Sequence, residues 1–257
     1  MSDDDNDHEI DNSQAPLLDH LIELRSRLLW SVGALLLAFI GCYFFAENIF
    51  AFLVQPLVHA GQQKIIFTQI FEAFFVRIKV AFFAGLMVSF PVIANQLWQF
   101  VAPGLYRREK KALLPFLVAT PVLFIMGASM AYFVAVPVAL KFLLSYQGNF
   151  GGIDQEALPS VGNYLDFMMQ FLFAFGLAFL LPILLMLLER AGIVTRQQLA
   201  GARRYAIVGA FGISAVLTPP DVGSQLLLAG PLIALYEIGI IGIRITERRR
   251  KREAGTA

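Results

Sequence analysis

The feature that most restricts this chain is a series of long runs without one charged residue. Leu28–Ala46 lies between Arg27 and Glu47, and Val80–Tyr106 between Lys79 and Arg107. Ala112–Leu140 lies between Lys111 and Lys141, and Phe167–Leu188 between Asp166 and Glu189. About 20 apolar residues of helix cross about 30 Å of hydrocarbon, and each run reaches or approaches that length. A further apolar region from Tyr205 to Ile243 contains Thr218-Pro219-Pro220-Asp221. Two successive prolines cannot continue a helix, so this region divides into two spans joined by a turn. The expected fold class is an all-α membrane protein with six transmembrane helices. Composition agrees: 58% of the 257 residues are hydrophobic and 15% charged, against about 45–50% and about 25% in soluble domains. Too little polar surface remains to cover a soluble enzyme.

Basic residues orient the spans, because cytoplasmic loops collect Lys and Arg. Arg25 and Arg27 precede the first span, and Arg107, Arg108, Lys110 and Lys111 separate the second from the third. Arg190, Arg196, Arg203 and Arg204 separate the fourth from the fifth, and Arg244 with residues 248–252 follows the sixth. These are 16 of the 20 basic residues, with only Lys64, Arg77, Lys79 and Lys141 elsewhere. Both termini are therefore expected in the cytoplasm. The expected organisation is a disordered acidic tail over 1–15, a membrane domain over 16–245 and a basic cytoplasmic tail over 246–257. Met1-Ser2-Asp3-Asp4-Asp5 is acidic where a secretory signal needs a basic region, so no cleavable leader is expected.

Within the membrane domain, Leu17, Leu21, Leu24 and Leu28 recur at helical spacing. Pro16 suits a first turn, and an interfacial amphipathic helix is expected to lead into the first span. The first outer connection, with Pro56 and Ile65-Ile66-Phe67, is expected to fold onto the membrane surface. The second is rich in glycine and acidic residues. The last two spans read as short, Tyr205–Thr218 giving about 21 Å of helix, unless that helix begins earlier through Gly201–Arg204. Gly85/Ser89 and Gly127/Ala131 would permit close helix approach. Cys42 has no internal partner, no phosphate-binding loop or zinc-ligand spacing occurs, and neither metal nor cofactor is expected. The net charge of +1 argues against nucleic-acid binding.

Four motifs occur in order: His20-Leu21-Ile22-Glu23-Leu24-Arg25, then Phe100-Val101-Ala102-Pro103-Gly104-Leu105-Tyr106-Arg107-Arg108-Glu109, then Leu217-Thr218-Pro219-Pro220-Asp221, then Glu237-Ile238-Gly239. With six spans and cytoplasmic ends, the chain resembles the TatC family, the multispanning subunits of the twin-arginine (Sec-independent) protein translocase. The likeness covers roughly residues 17 to 245. It implies a bacterial inner-membrane protein, not an enzyme, that exports folded proteins using the proton-motive force. It also implies TatA- and TatB-like single-span partners in an oligomeric complex, and recognition of Arg-Arg signal peptides.

A guanidinium is planar, permanently charged and pairs with a carboxylate through two bonds, so two adjacent arginines ask for acidic acceptors. Glu109 resembles the family's principal contact and Glu23 the second. Phe100 and Tyr106 would flank the site, with His20 and Arg25 holding the amino-terminal helix. From the residues alone, Glu109 is also open to neutralisation by its basic neighbours, and Glu23 to a helix pair with Arg27. The resemblance places Asp221, Glu237, Pro56 and Leu180 in transport or assembly. Asp221 could equally cap the sixth span, and Glu237 be protonated or paired with Arg244. Leu180 stands where the family commonly carries an acidic or amide residue. Gln170 is about 15 Å away along the helix, too far to replace that group. Spans five and six are expected to form the partner side. A secondary transporter of a small solute is the competing reading, but no internal repeat supports it.

Overall fold

The computed structural model describes residues 4–62, 64–105, 110–155, 157–217 and 222–254. α1 (Asp4–Phe44) runs unbroken, and α2 (Ala46–His59) follows at once. α3 (Glu72–Leu105) returns alongside α1, and these form the most extensive helix pair. α4 (Lys110–Met130) passes through one π-helical turn, Ala131–Ala135, into α5 (Val136–Leu144). A hairpin of β1 (Gly148–Phe150) and β2 (Ile153–Gln155) leads to α6 (Val161–Ala178) and α7 (Leu181–Arg190). Then come α8 (Arg196–Gly201), α9 (Arg203–Leu217) and α10 (Val222–Ala254).

Local chemistry explains the joints. Gly151 and Gly152 have φ of +65° and +87°, the positive pair that a two-residue hairpin turn of the mirror-image type requires. Ser160 Oγ accepts from Asn163 N and opens α6, while Thr195 and Gln198 form a reciprocal capping box on α8. α6 and α7 are separate because Pro182 has no N–H for the carbonyl of Ala178, so the chain tightens through Phe179 and Leu180 before restarting.

Five stretches among the described residues are long and apolar enough to cross a membrane: Leu21–Phe44, Glu72–Phe100, Phe116–Leu144, Val161–Arg190 and Gln225–Arg248. Their outer faces expose large apolar side chains, among them Leu37, Phe44, Val88, Phe133 and Ile238, which water would penalise and lipid would not. The expected fifth span falls on α9. It starts two residues before Tyr205, yet its 15 residues give only about 22 Å of helix. The sixth is not short: α10 has 33 residues, of which Gln225–Arg248 are apolar enough to cross a membrane, and Glu237 within that stretch is paired with Arg203. The leucine face before the first span is no separate element either. α1 carries it straight into the span, and Leu21, Leu24 and Leu28 are all exposed.

α6 lies at the centre, with Leu165, Met168, Phe171 and Phe175 buried against Val80, Val136 and Leu228. The small residues are used inside the chain. A Cβ on Gly127 would stand 2.4 Å from the carbonyl oxygen of Phe175, and one on Gly176 would stand 2.6 Å from the ring of Phe124. Gly85 lies against the backbone of Phe39 in the same way, at 2.8 Å. At the α2 end of the bundle, the two connections are tied together. Ile66 N donates to Pro159 O and Val161 N to Ile66 O, while the carboxylate of Glu72 accepts from the amides of Gly162, Thr68 and Gln69.

Candidate functional site

The opposite end of the bundle carries the basic loops. There α1 and α3 are joined by one guanidinium. Arg27 donates from Nε to Glu23 Oε1 at 2.9 Å and also from Nη2 to the same oxygen. Its Nη1 reaches across to α3, 2.7 Å from Gln99 Oε1 and 3.5 Å from Gln96 Oε1. The i,i+4 pair read from the sequence is therefore real, but it is also half of a bridge between two helices. Gln99 is held in turn, accepting from Arg27 while donating to Asn95 Oδ1 at 3.0 Å. Phe100, expected to flank the site, follows on α3 and is half-buried. Arg25 sits exposed on α1. Tyr106, Glu109 and Asp221 lie outside the described residues, as does the side chain of His20.

Beside this bridge, α3 forms one wall of an apolar cavity of about 950 Å³, which also faces α6, α7, α9 and α10. Phe90, Leu97, Trp98, Leu184 and Leu232 line it, and so do both Leu180 and Gln170. Trp98 keeps its indole N–H satisfied by Thr120 Oγ1 at 2.8 Å. Leu180 thus stands at the break between α6 and α7, half-buried at the cavity wall. Gln170 brings an amide to the same cavity, about 15 Å further along the helix axis.

Glu237 is an ion-paired carboxylate. Arg203 Nε lies 2.7 Å from its Oε1 and Nη2 3.1 Å from its Oε2, a fork-to-fork geometry. The partner comes from the start of α9, not from Arg244 of its own helix. Two further contacts fasten the same end: Tyr236 donates to Leu199 O at 2.7 Å, and Arg196 Nε to Glu247 Oε2 at 3.0 Å.

Pro56 is buried within α2. Without an N–H it cannot satisfy the carbonyl of Phe52, four residues earlier. Tyr132, in the π-helical turn, donates to that oxygen at 2.7 Å, and Tyr164 of α6 donates to Leu53 O at 2.7 Å. The ring of Phe52 also stacks on Tyr132, with centroids 4.4 Å apart. The carbonyl that Pro56 leaves open is thus taken up by Tyr132, and Tyr164 holds the next one, so two tyrosines tie α2 to the core.

The sequence reading missed one membrane pair. Lys79 Nζ bonds both carboxylate oxygens of Asp166, at 2.8 and 2.9 Å, and joins α3 to α6. Both residues had served only to end apolar runs. Opposite charges each just inside a span are the signal that could have joined them. Among the described residues no cluster of His, Cys, Asp or Glu could hold a metal ion.

The family profile described as Sec-independent protein translocase protein (TatC) matches residues 19–231. The chain is 49% identical over 239 residues to the Sec-independent protein translocase protein TatC of Magnetococcus marinus, covering 92% of this chain and 87% of that one. It is 40% identical to the corresponding protein of Escherichia coli (strain K12), covering 88% and 86%. Two solved structures share its fold. One, a crystal structure of the twin-arginine translocase receptor TatC, superposes with a TM-score of 0.76 at 39% identity, covering 88% of this chain and 98% of that one. The other, of the same receptor in the detergent DDM, gives 0.77 at 40% identity, covering 86% and 98%.

Proposed function

This chain belongs to the TatC family of Sec-independent protein translocase proteins, and from that premise we propose that its basic end receives Arg-Arg signal peptides through Glu23 and Glu109. It is a multi-span inner-membrane subunit of the twin-arginine translocase, and its task is protein translocation rather than small-solute transport. The observation that carries the site reading is the half-buried carboxylate of Glu23, which already holds a guanidinium next to the wall of a large apolar cavity. Charged pair and apolar wall match a signal whose arginines precede a hydrophobic stretch.

In this reading Glu109 takes one signal arginine and Glu23 the other. Phe100 and Tyr106 flank them, while His20 and Arg25 hold the start of α1. α9 is the fifth, short span, α10 the sixth, both termini are cytoplasmic, and TatA- and TatB-like single-span helices pack on the side of α9 and α10. Pro56, Leu180, Asp221 and Glu237 serve transport and assembly rather than signal contact. The subunit performs no chemical step of its own.

Binding of an Arg-Arg peptide to the purified protein tests the site. Glu109→Ala weakens it by about 1.5–3 kcal/mol, the worth of a hydrogen bond to a charged group, or roughly 10- to 150-fold. Replacing the peptide's Arg-Arg by Lys-Lys abolishes it. Unchanged affinity in Glu109→Ala would remove Glu109 from the site.

A further inference from the structure

The geometry points to Arg27 as an internal occupant of the signal site, which a signal arginine must displace from Glu23. This inference rests on the reading of Glu23 as a signal acceptor and adds how that acceptor is governed. In this structure Glu23 already faces a guanidinium: Nε and Nη2 of Arg27 converge on one of its oxygens. An incoming arginine would offer the same planar fork to the same carboxylate. A two-bond pair spans both carboxylate oxygens, and Arg27 already occupies Oε1, so full bidentate binding at Glu23 is an exchange of one guanidinium for another.

The structure also shows where Arg27 goes. Its Nη1 is already bonded to Gln99 Oε1 at 2.7 Å, with Gln96 Oε1 at 3.5 Å. Both acceptors are neutral amides on α3, half-exposed or exposed. A rotation about the long Arg27 side chain moves its remaining donors from Glu23 onto these amides, and the charge stays solvated and hydrogen-bonded throughout. The exchange therefore costs little, and it is reversible: once the signal leaves, Arg27 lies four residues from Glu23 on the same helix and refills it. Arg27 acts as a positioning residue that tempers affinity and speeds release. Gln99 is the acceptor that makes displacement possible.

The experiment measures affinity and dissociation rate of a synthetic Arg-Arg signal peptide on the full-length protein in nanodiscs. Arg27→Gln removes the competitor and tightens binding about two- to fivefold, the fold-change equivalent to a half-exposed ion pair of up to about 1 kcal/mol, with the change in the dissociation rate. Gln99→Leu weakens binding when Arg27 is present and has no effect in the Arg27→Gln background. A simple structural tie between α1 and α3 predicts the opposite: weaker binding in Arg27→Gln, a lower melting temperature, and a Gln99→Leu effect that adds to it. Arg27→Lys, which keeps the charge near Gln99 but loses the fork, serves if Arg27→Gln does not fold, and it too must tighten binding. Equal or weaker binding in the folded Arg27 variant overturns the exchange, provided Glu23→Ala weakens binding. A Glu23→Ala protein that binds normally instead overturns the reading of Glu23 itself.

Discussion

The hydroxyl of Tyr132 donates, at 2.7 Å, to the carbonyl of Phe52 that Pro56 leaves without its helical donor. A proline in one helix is thus matched by a tyrosine in another, two elements 80 residues apart in sequence. Tyr132→Phe leaves that carbonyl unpaired and costs about 1–3 kcal/mol of stability. In a Pro56→Ala background the new amide at position 56 can bond Phe52 O, so the same change costs less than about 1 kcal/mol. Unfolding in mixed micelles measures the four proteins, and equal costs in both backgrounds would disprove the pairing of roles.

The Arg203–Glu237 pair is half-exposed, so its worth is modest, about 1 kcal/mol at most. Arg203→Ala and Glu237→Ala each lower stability by that order. Arg203→Glu combined with Glu237→Arg restores most of it. Melting curves of the singles and the double resolve this, and a double variant as unstable as the sum of its parts would contradict the pairing.

Gly127→Ala drives a methyl group to within 2.4 Å of Phe175 O, and the backbone offers no rotamer to yield. Overpacking of this kind costs about 1–3 kcal/mol or more. Gly33→Ala is the control, because nothing lies within 4 Å of its Cβ position and alanine favours a helix interior. The pair is compared by thermal melting, where Gly33→Ala is neutral or stabilising.

Leu180→Glu places a carboxylate on the wall of the apolar cavity. If partner helices approach there, cysteine crosslinks from a TatB-like subunit shift and export efficiency changes. Identical crosslinks and export would mean that position 180 meets only its own chain or lipid.

Topology is checked by reporter fusions. Those after Ala60 and Gln155 report the outside, and those after Lys110, Gln197 and Arg250 the inside. A single reversal breaks the count of six.

The spans were legible because exclusion of charge is a one-dimensional property. A run such as Phe167–Leu188 needs no knowledge of its neighbours to be recognised. The turn at Gly151-Gly152 and the break before Pro182 have equally local causes in glycine and proline, yet the charge-free run Phe167–Leu188 reads as one span and passes over the break. Choice of partner was not legible. Glu237 was open to protonation or to pairing with Arg244, and its partner Arg203 comes into reach only through the way α9 crosses α10. The same holds for Lys79 with Asp166 and for Arg27 with Gln99, which lie 87 and 72 residues apart. The π-helical turn at Ala131–Ala135 has no sequence signal that the apolar pattern reveals. Small residues were seen correctly as places of close approach, yet their spacing could not tell an outside partner from the chain's own α6 or α1.

The reciprocal fit of Gly127 under Phe175 and Gly176 under Phe124 has a mechanical meaning. Each helix supplies the notch that the other fills, at two neighbouring heights. Sliding by one residue, about 1.5 Å, would drive one backbone into the other. α4 and α6 are therefore keyed together against sliding. The charged ties lie elsewhere: Lys79 and Asp166 join α3 to α6, and Arg203 and Glu237 clasp α9 to α10, so these helices meet through side chains long enough to yield where the glycine notches cannot.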